Sequence, residues 1–126
     1  MSPSAQASLT VLVVEDEFLI AEEMAAVLEE AGHVVVGPAA SVRAAKAMLA
    51  GYRKPDVAII DANLRGETSA ALATDLRDLR IPFCVCTGYR IADLKATYGD
   101  IVTIQKPINP QHLLETIAAL AGINRA

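Results

Sequence analysis

The chain has 126 residues, which suits one domain with a real hydrophobic core. Hydrophobic residues make up 53% of it and aromatics 4%, so the core must be built from Ala, Val, Leu and Ile. A net charge of −4 without a dense basic run excludes an ordinary nucleic-acid surface, and no apolar run reaches the length of a membrane span.

The first eight residues, Met1 to Ser8, lack the basic start and apolar middle of a secretory signal. They read as a disordered tail (1–8) on a cytoplasmic protein, followed by one domain over 9–122 and a short tail over 123–126. Thr10 to Val14 (TVLVV) is the first apolar run and ends at Glu15-Asp16-Glu17. A helix should follow to about Ala31, with Phe18, Ala21, Ala25 and Leu28 on its apolar face and Gly32 as its stop. His33 to Val36 is a second strand, closed by Gly37-Pro38. Ser41 can cap a second helix that carries Val42, Ala45 and Leu49 and ends at Gly51.

Val57 to Ile60 is an unbroken apolar run that leads straight into Asp61. Such a run suits a strand buried on both faces of a parallel sheet, which sets Asp61 at the strand's carboxyl end. Thr68 or Ser69 can cap a third helix with Leu72, Leu76 and Leu79 on its core face. Pro82 opens a fourth strand, Phe83 to Cys86, which stops at Thr87-Gly88-Tyr89. Cys84 and Cys86 would point to the same side of that strand roughly 7 Å apart, too far for a disulfide, so they read as buried thiols. Ile91, Leu94 and Tyr98 make a brief helical pattern that breaks at Gly99. Ile101 to Ile104 is a fifth strand, followed by Gln105-Lys106-Pro107. The last helix has Asn109 as cap, Pro110 at its first position, Leu113, Ile117 and Leu120 on one face, and Gly122 just beyond.

Five strands alternating with helix-length crossovers imply a parallel sheet with helices on both faces. In such a sheet every strand ends at the same edge, where open α/β sheets bind their ligands. Glu15 and Asp16, Asp61, Thr87 and Lys106 end four different strands and therefore gather at one crevice. A single carboxylate after a strand is commonly a turn residue or a helix cap. Clustered carboxylates repel one another and call for a hard cation such as Mg²⁺. A carboxylate that also faces an ammonium can attack phosphorus to give an aspartyl phosphate.

With these residues in this order, residues 9 to 122 resemble a receiver domain of a bacterial two-component response regulator. The resemblance implies a flavodoxin-like three-layer (β/α)5 fold with a five-stranded parallel sheet of order 2-1-3-4-5. It makes Asp61 the phosphoacceptor. Asp16, Asp61 and the backbone carbonyl of Asn63 would be ligands of Mg²⁺, with Mn²⁺ as a substitute, and Glu15 would act mainly through metal-bound water. It gives Thr87 a hydroxyl contact to the phosphoryl group, pairs Lys106 with Asp61 and then with phosphate, and makes the Lys106-Pro107 bond cis. Gly88 would leave the pocket open.

The chain departs from the usual receiver pattern in two places. Most receivers carry an aromatic three positions before the lysine, which moves with the threonine on phosphorylation; here that position is Thr103. Tyr89 lies two residues after Thr87, in a segment similar to that of a receiver subgroup with a Phe-Ala-Thr-Gly-x-Tyr-like motif; the match is partial, since Val85 and Cys86 replace the usual Phe and Ala. Tyr89 is accordingly the expected switch residue, beside the alternative that it simply packs over the loop. Thirteen residues between Thr87 and Ile101 leave room for about two helical turns, so residues 90–99 are expected to be mobile or irregular. His33 and His112 read as ordinary boundary or surface residues.

The resemblance implies a stand-alone signalling module, monomeric or weakly dimeric, that is not an enzyme on an outside substrate. It would take phosphate from a histidine kinase or phosphotransfer protein, then signal through protein contacts with a downstream target or act as a phosphate sink. Those contacts would involve its first helix or the face of its fourth helix, fifth strand and fifth helix, with no nucleic acid or membrane as partner. A receiver-like adaptor that works without phosphorylation is the alternative. A Mg²⁺-dependent phosphohydrolase would want an Asp where Asn63 stands.

Overall fold

The computed structural model describes residues 8–51, 54–88 and 92–125. In chain order they form β1 (Thr10–Val14), α1 (Phe18–Glu30), β2 (Val34–Ala39), α2 (Val42–Gly51), β3 (Val57–Asp61), a small hairpin of β4 (Asn63–Leu64) and β5 (Glu67–Thr68), α3 (Ala70–Asp78), β6 (Phe83–Thr87), α4 (Ala92–Tyr98), β7 (Val102–Gln105) and α5 (Pro110–Arg125). The main sheet is parallel and ordered β2-β1-β3-β6-β7. Counted without the hairpin, that is the expected flavodoxin-like order 2-1-3-4-5.

Successive strand residues point to opposite faces, so each apolar run feeds two cores. Leu12, Val14, Ala58, Ile60 and Val85 pack with Ala45 of α2, Leu72 and Leu76 of α3, and Leu94 of α4. Val11, Val13, Val57, Ile59, Cys84 and Cys86 pack on the other side with Met24 and Leu28 of α1 and Leu113 and Ile117 of α5. Every residue of β3 and β6 is buried, which is why these runs contain no alternating polar positions. Each fully buried Leu or Ile contributes about 1.5–3 kcal/mol.

Several local expectations meet their physical limits here. Phe18, placed on the core face of α1 by spacing, is 72% exposed because it lies at the helix's first residue, beyond the sheet edge; Ala21, Met24, Ala25 and Leu28 carry the burial. Leu79 is likewise 44% exposed, since α3 has ended at its C-cap. β2 does not stop at Gly37-Pro38 but continues to Ala39 through an irregularity in its pairing with β1. Gly37 has φ +95° and a Cβ there would meet Val13 O at 2.9 Å, so only glycine fits. An edge strand also tolerates Pro38, whose missing N–H faces no further strand.

At the other end, α5 runs through Gly122 to Arg125. A single helical glycine costs only about 1 kcal/mol, too little to end a helix that buries Leu120 and Ala121 beside it. Ser8, read as part of the tail, donates its hydroxyl to Gly32 O at 2.7 Å. The rest of that tail, residues 1–7, lies outside the described residues. Ser41 and Asn109 accept from Ala44 N and His112 N, as helix caps should. No helix among the described residues is long and apolar enough to cross a membrane.

Candidate functional site

The carboxyl edge of the sheet is assembled by backbone hydrogen bonds before any side chain acts. Beyond β1, Glu15 N donates to Ala39 O at 2.9 Å, which holds the chain on the sheet and leaves the Glu15 side chain buried. Asp16 follows, half-buried, as the chain turns toward α1. On the neighbouring strand Asp61 closes β3, and Ala62 N donates to Cys86 O at 2.9 Å. Thr87 ends β6, buried, and its carbonyl accepts from Lys106 N at 2.8 Å. The lysine's backbone is thus fixed by the threonine, and its side chain returns along the sheet edge to the carboxylates.

Lys106 Nζ lies 3.0 Å from Asp61 Oδ2 and 3.0 Å from Glu15 Oε1. The second contact is an ion pair without hydrogen-bond alignment, so Glu15 Oε1 stays buried with no hydrogen-bond partner. Its other oxygen accepts from Glu17 N at 3.1 Å. Burial, reinforced by the Asp61 charge, pushes the Glu15 carboxyl up to about 7 against the opposing pull of Glu17 N and Lys106. Burial alone would lower the Lys106 ammonium, but the ion pair with Glu15 and the hydrogen bond to Asp61 outweigh that and leave it raised. The resemblance implies a pairing of Lys106 with Asp61; the structure adds Glu15 as an equal neighbour.

Glu15, Asp16 and Asp61 bring one carboxylate oxygen each to within 4.8 Å of one another. Three carboxylates against one ammonium leave negative charge uncompensated. Glu15 Oε1, ion-paired with Lys106 but without a hydrogen-bond partner, keeps the capacity to accept from a water on an ion. The donor set therefore fits a hard divalent cation such as Mg²⁺, which combines few carboxylates with waters and phosphate oxygens. Asn63, expected to offer its backbone carbonyl, donates its N–H to Asp61 Oδ1 at a long 3.4 Å and accepts Gly66 N on its side-chain oxygen at 2.8 Å. A Cβ on Gly88 would meet nothing within 4 Å, so space is open beside Thr87. The Lys106-Pro107 bond is cis, the isomer that the resemblance implies.

Two contributors were not singled out by sequence reasoning. Arg65 and Gly66 form the two-residue turn between β4 and β5, with φ 55° and 85°. Positive φ at both central positions is what such a tight hairpin requires, and Arg-Gly is not among the dipeptides that announce it. Through this turn Arg65 N donates to Asp16 Oδ2 at 2.9 Å and ties the loop after β3 to the one after β1. The second is Tyr98, whose hydroxyl lies within 2.9 Å of Ala62 O and 2.8 Å of Ser69 Oγ. Its position at helical spacing from Leu94 announces burial but not those partners.

Cys84 and Cys86 are free and buried. The Cys86 thiol is pushed up by its hydrogen bond with Cys84 and by burial, which keeps it protonated and unreactive. Thr103, at the usual aromatic position, is half-buried. Tyr89, the expected switch residue, lies outside the described residues, as do residues 90 and 91. Within residues 90–99, expected to be mobile or irregular, Ala92 to Tyr98 form a regular helix that buries Leu94 and Tyr98.

Known proteins share this architecture. A response regulator receiver domain from Methanospirillum hungatei, described as CheY-like, superposes with a TM-score of 0.81 over 94% of this chain and 98% of its own, at 24% identity. The response regulator PhyR from Brucella abortus superposes with a TM-score of 0.80 over 95% of this chain and 50% of its own, at 26% identity. The transcriptional regulatory protein PdtaR of Mycobacterium tuberculosis is 31% identical over 111 residues, 87% of this chain and 54% of the relative. The chain thus spans about half the length of the curated relatives it matches. Residues 11–118 match the response regulator receiver domain, the family to which this chain belongs.

Proposed function

We propose that Asp61 is the phosphoacceptor of a two-component phosphorelay, with Thr87 and Lys106 as the groups that receive the phosphoryl oxygens. The observation that carries this reading is the Lys106 ammonium 3.0 Å from Asp61 Oδ2, beside a carboxylate cluster suited to a divalent cation. In the transfer, a carboxylate oxygen of Asp61 forms a bond to phosphorus as the donor's bond to phosphorus breaks and the leaving group departs. Lys106 then shifts part of its charge from Asp61 toward the incoming phosphoryl oxygens. Thr87, at the strand end beside the open space over Gly88, donates its hydroxyl to one of them.

Asp16, Asp61 and the backbone carbonyl of Asn63 would hold Mg²⁺, and Glu15 would accept from its water. Bound there, the ion supplies neutralisation of the phosphoryl charge. Glu15 also keeps Lys106 aimed into the crevice when Asp61 is engaged, because the ammonium has a second anion at equal distance.

The donor is a histidine kinase or a phosphotransfer protein, and the output is a protein contact or the draining of phosphate from a relay. Membership of the family supports a signalling module and not an enzyme acting on an outside substrate. The likenesses to PhyR, a response regulator, and to PdtaR, a transcriptional regulatory protein, support a regulatory role, and a protein target is part of the proposal. Incubation with acetyl phosphate, with and without Mg²⁺, followed by intact mass tests it. One added phosphoryl group that requires Mg²⁺ supports the reading; none at any Mg²⁺ concentration favours an adaptor independent of phosphorylation.

A further inference from the structure

Tyr98 closes α4 and is 4% exposed, yet its hydroxyl is fully engaged. It donates to Ala62 O at 2.9 Å, so its single proton is used there, and the Ser69 hydroxyl at 2.8 Å must donate to it. Thr68 Oγ1 stands 3.3 Å away as a further partner. All three groups belong to the segment from Ala62 to Ser69, the loop that leaves Asp61 and enters α3. Ser69 occupies the N-cap position of α3 but makes no capping bond with its side chain; the hydroxyl that a helix would ordinarily use goes to Tyr98.

The Ala62 carbonyl and the Asn63 N–H belong to one peptide group, which is planar and rigid. Its N–H end touches Asp61 Oδ1 at 3.4 Å, and its C=O end receives the Tyr98 hydroxyl. Any change at the Asp61 carboxylate that turns the N–H also turns the carbonyl. The Ser69 amide, which donates to the same carbonyl at 3.2 Å, must follow. At the far side, α4 has seven residues and is too short to be stable without tertiary contacts. Leu94 and Tyr98 are its buried side chains among the described residues, and Arg77 Nη2 donates to the Tyr98 carbonyl. The placement of α4 is therefore keyed to Tyr98.

We infer that Tyr98 is a positioning residue that couples the state of Asp61 to α4, with the Ala62–Asn63 peptide group as the rigid link between them. A tyrosine that merely filled space would need no hydroxyl. This one has a hydroxyl saturated by the loop that adjoins the phosphoacceptor. The inference rests on the proposed phosphorylation of Asp61.

The test is amide exchange across residues 94–99, and at Ser69, with and without acetyl phosphate and Mg²⁺, with intact mass taken on the same samples. In the wild type, phosphorylation changes exchange in 94–99 by about fivefold or more, the lower range for coupled sites. Tyr98→Phe still gains a phosphoryl group but loses that difference. Leu94→Ala, which loosens α4 while sparing the hydroxyl, raises exchange in both states and keeps the difference. A folded Tyr98→Phe variant with the wild-type difference overturns the inference. So does a phosphorylated wild type in which exchange at Ser69 and across 94–99 does not change, a readout that stands even if the variant fails to fold. A wild type that gains no phosphoryl group sinks the reading of Asp61 and the coupling with it, and the mass separates that failure from the others.

Discussion

The ammonium of Lys106 lies 3.0 Å from an Asp61 carboxylate oxygen, although the two residues are 45 positions apart in sequence. Parallel β3, β6 and β7 bring them together, because each ends at the same edge of the sheet. The contact is shielded: Asp61 is buried, and the lysine side chain is only 20% exposed. Replacing Lys106 with Met removes the one cation among the described residues at the site. Loss of a preorganised charge at a reacting centre costs on the order of 10²-fold in rate. Stopped-time mass measurement of phosphorylation by acetyl phosphate checks this, and a Lys106→Met rate within twofold of wild type would refute the role.

Asp16 contributes a carboxylate to the proposed metal site and accepts Arg65 N at 2.9 Å. Asp16→Asn keeps an oxygen that can accept from Arg65 but removes the charge. Mg²⁺ affinity, measured by calorimetry, should fall by at least the ~10–100-fold attributed to losing a supporting partner of a metal site. In the wild type, Mg²⁺ at one hundred times its Kd should stabilise the fold by about 2.7 kcal/mol. Chelation with EDTA should return the denaturation midpoint to its metal-free value, and the Asp16→Asn midpoint should respond far less.

His33 offers a test of pH dependence away from the crevice. Its Nδ1 accepts Leu9 N at 3.1 Å, which requires the nitrogen to be unprotonated, and burial holds the imidazole below its usual 6.5. The folded state favours the neutral ring, so the unfolded chain binds more protons between the two pKa values. Stability from this group is present above pH 6.5 and is lost as pH falls through the lowered folded value. His33→Gln should lose less stability than the wild type in urea midpoints taken from about pH 7.5 down to 5.5, the Glu15 contribution of opposite sign being common to both. An unchanged wild-type-like slope in the variant would show that His33 contributes nothing.

Phe18 and Leu19 are 72% and 80% exposed at the start of α1, one turn from Asp16. Exposed apolar side chains of this kind contribute little to the fold, so Phe18→Ala and Leu19→Ala should each change stability by no more than about 0.5 kcal/mol. The resemblance implies protein contacts at the first helix, and under the proposed function the phosphodonor is the partner against which they are tested. Both variants should accept phosphate from acetyl phosphate at the wild-type rate and from a histidine kinase or phosphotransfer protein more slowly. Equal slowing with both donors would place the defect in the site itself.

Much of this could be read before any coordinates. Val57 to Ile60 is legible as a doubly buried strand because nothing polar interrupts it, and the same holds for Phe83 to Cys86. The topology then carries Glu15, Asp16, Asp61, Thr87 and Lys106 to one edge. What spacing cannot supply is the end of an amphipathic face: Phe18 and Leu79 fit the period, but they sit at the first residue of α1 and the C-cap of α3 and stay exposed. Gly122 was misread because one glycine is a weak penalty beside two buried neighbours. The positive φ of Arg65 and the hydroxyl partners of Tyr98 depend on tertiary geometry that no local pattern encodes.

The most direct measurement is peptide-level mass mapping after reaction with acetyl phosphate and Mg²⁺, in the wild type and in Asp61→Asn. The account predicts one phosphoryl group on the peptide that carries Asp61, and none anywhere in the variant. A phosphoryl group that persists in Asp61→Asn, or that maps to another peptide in the wild type, would contradict it.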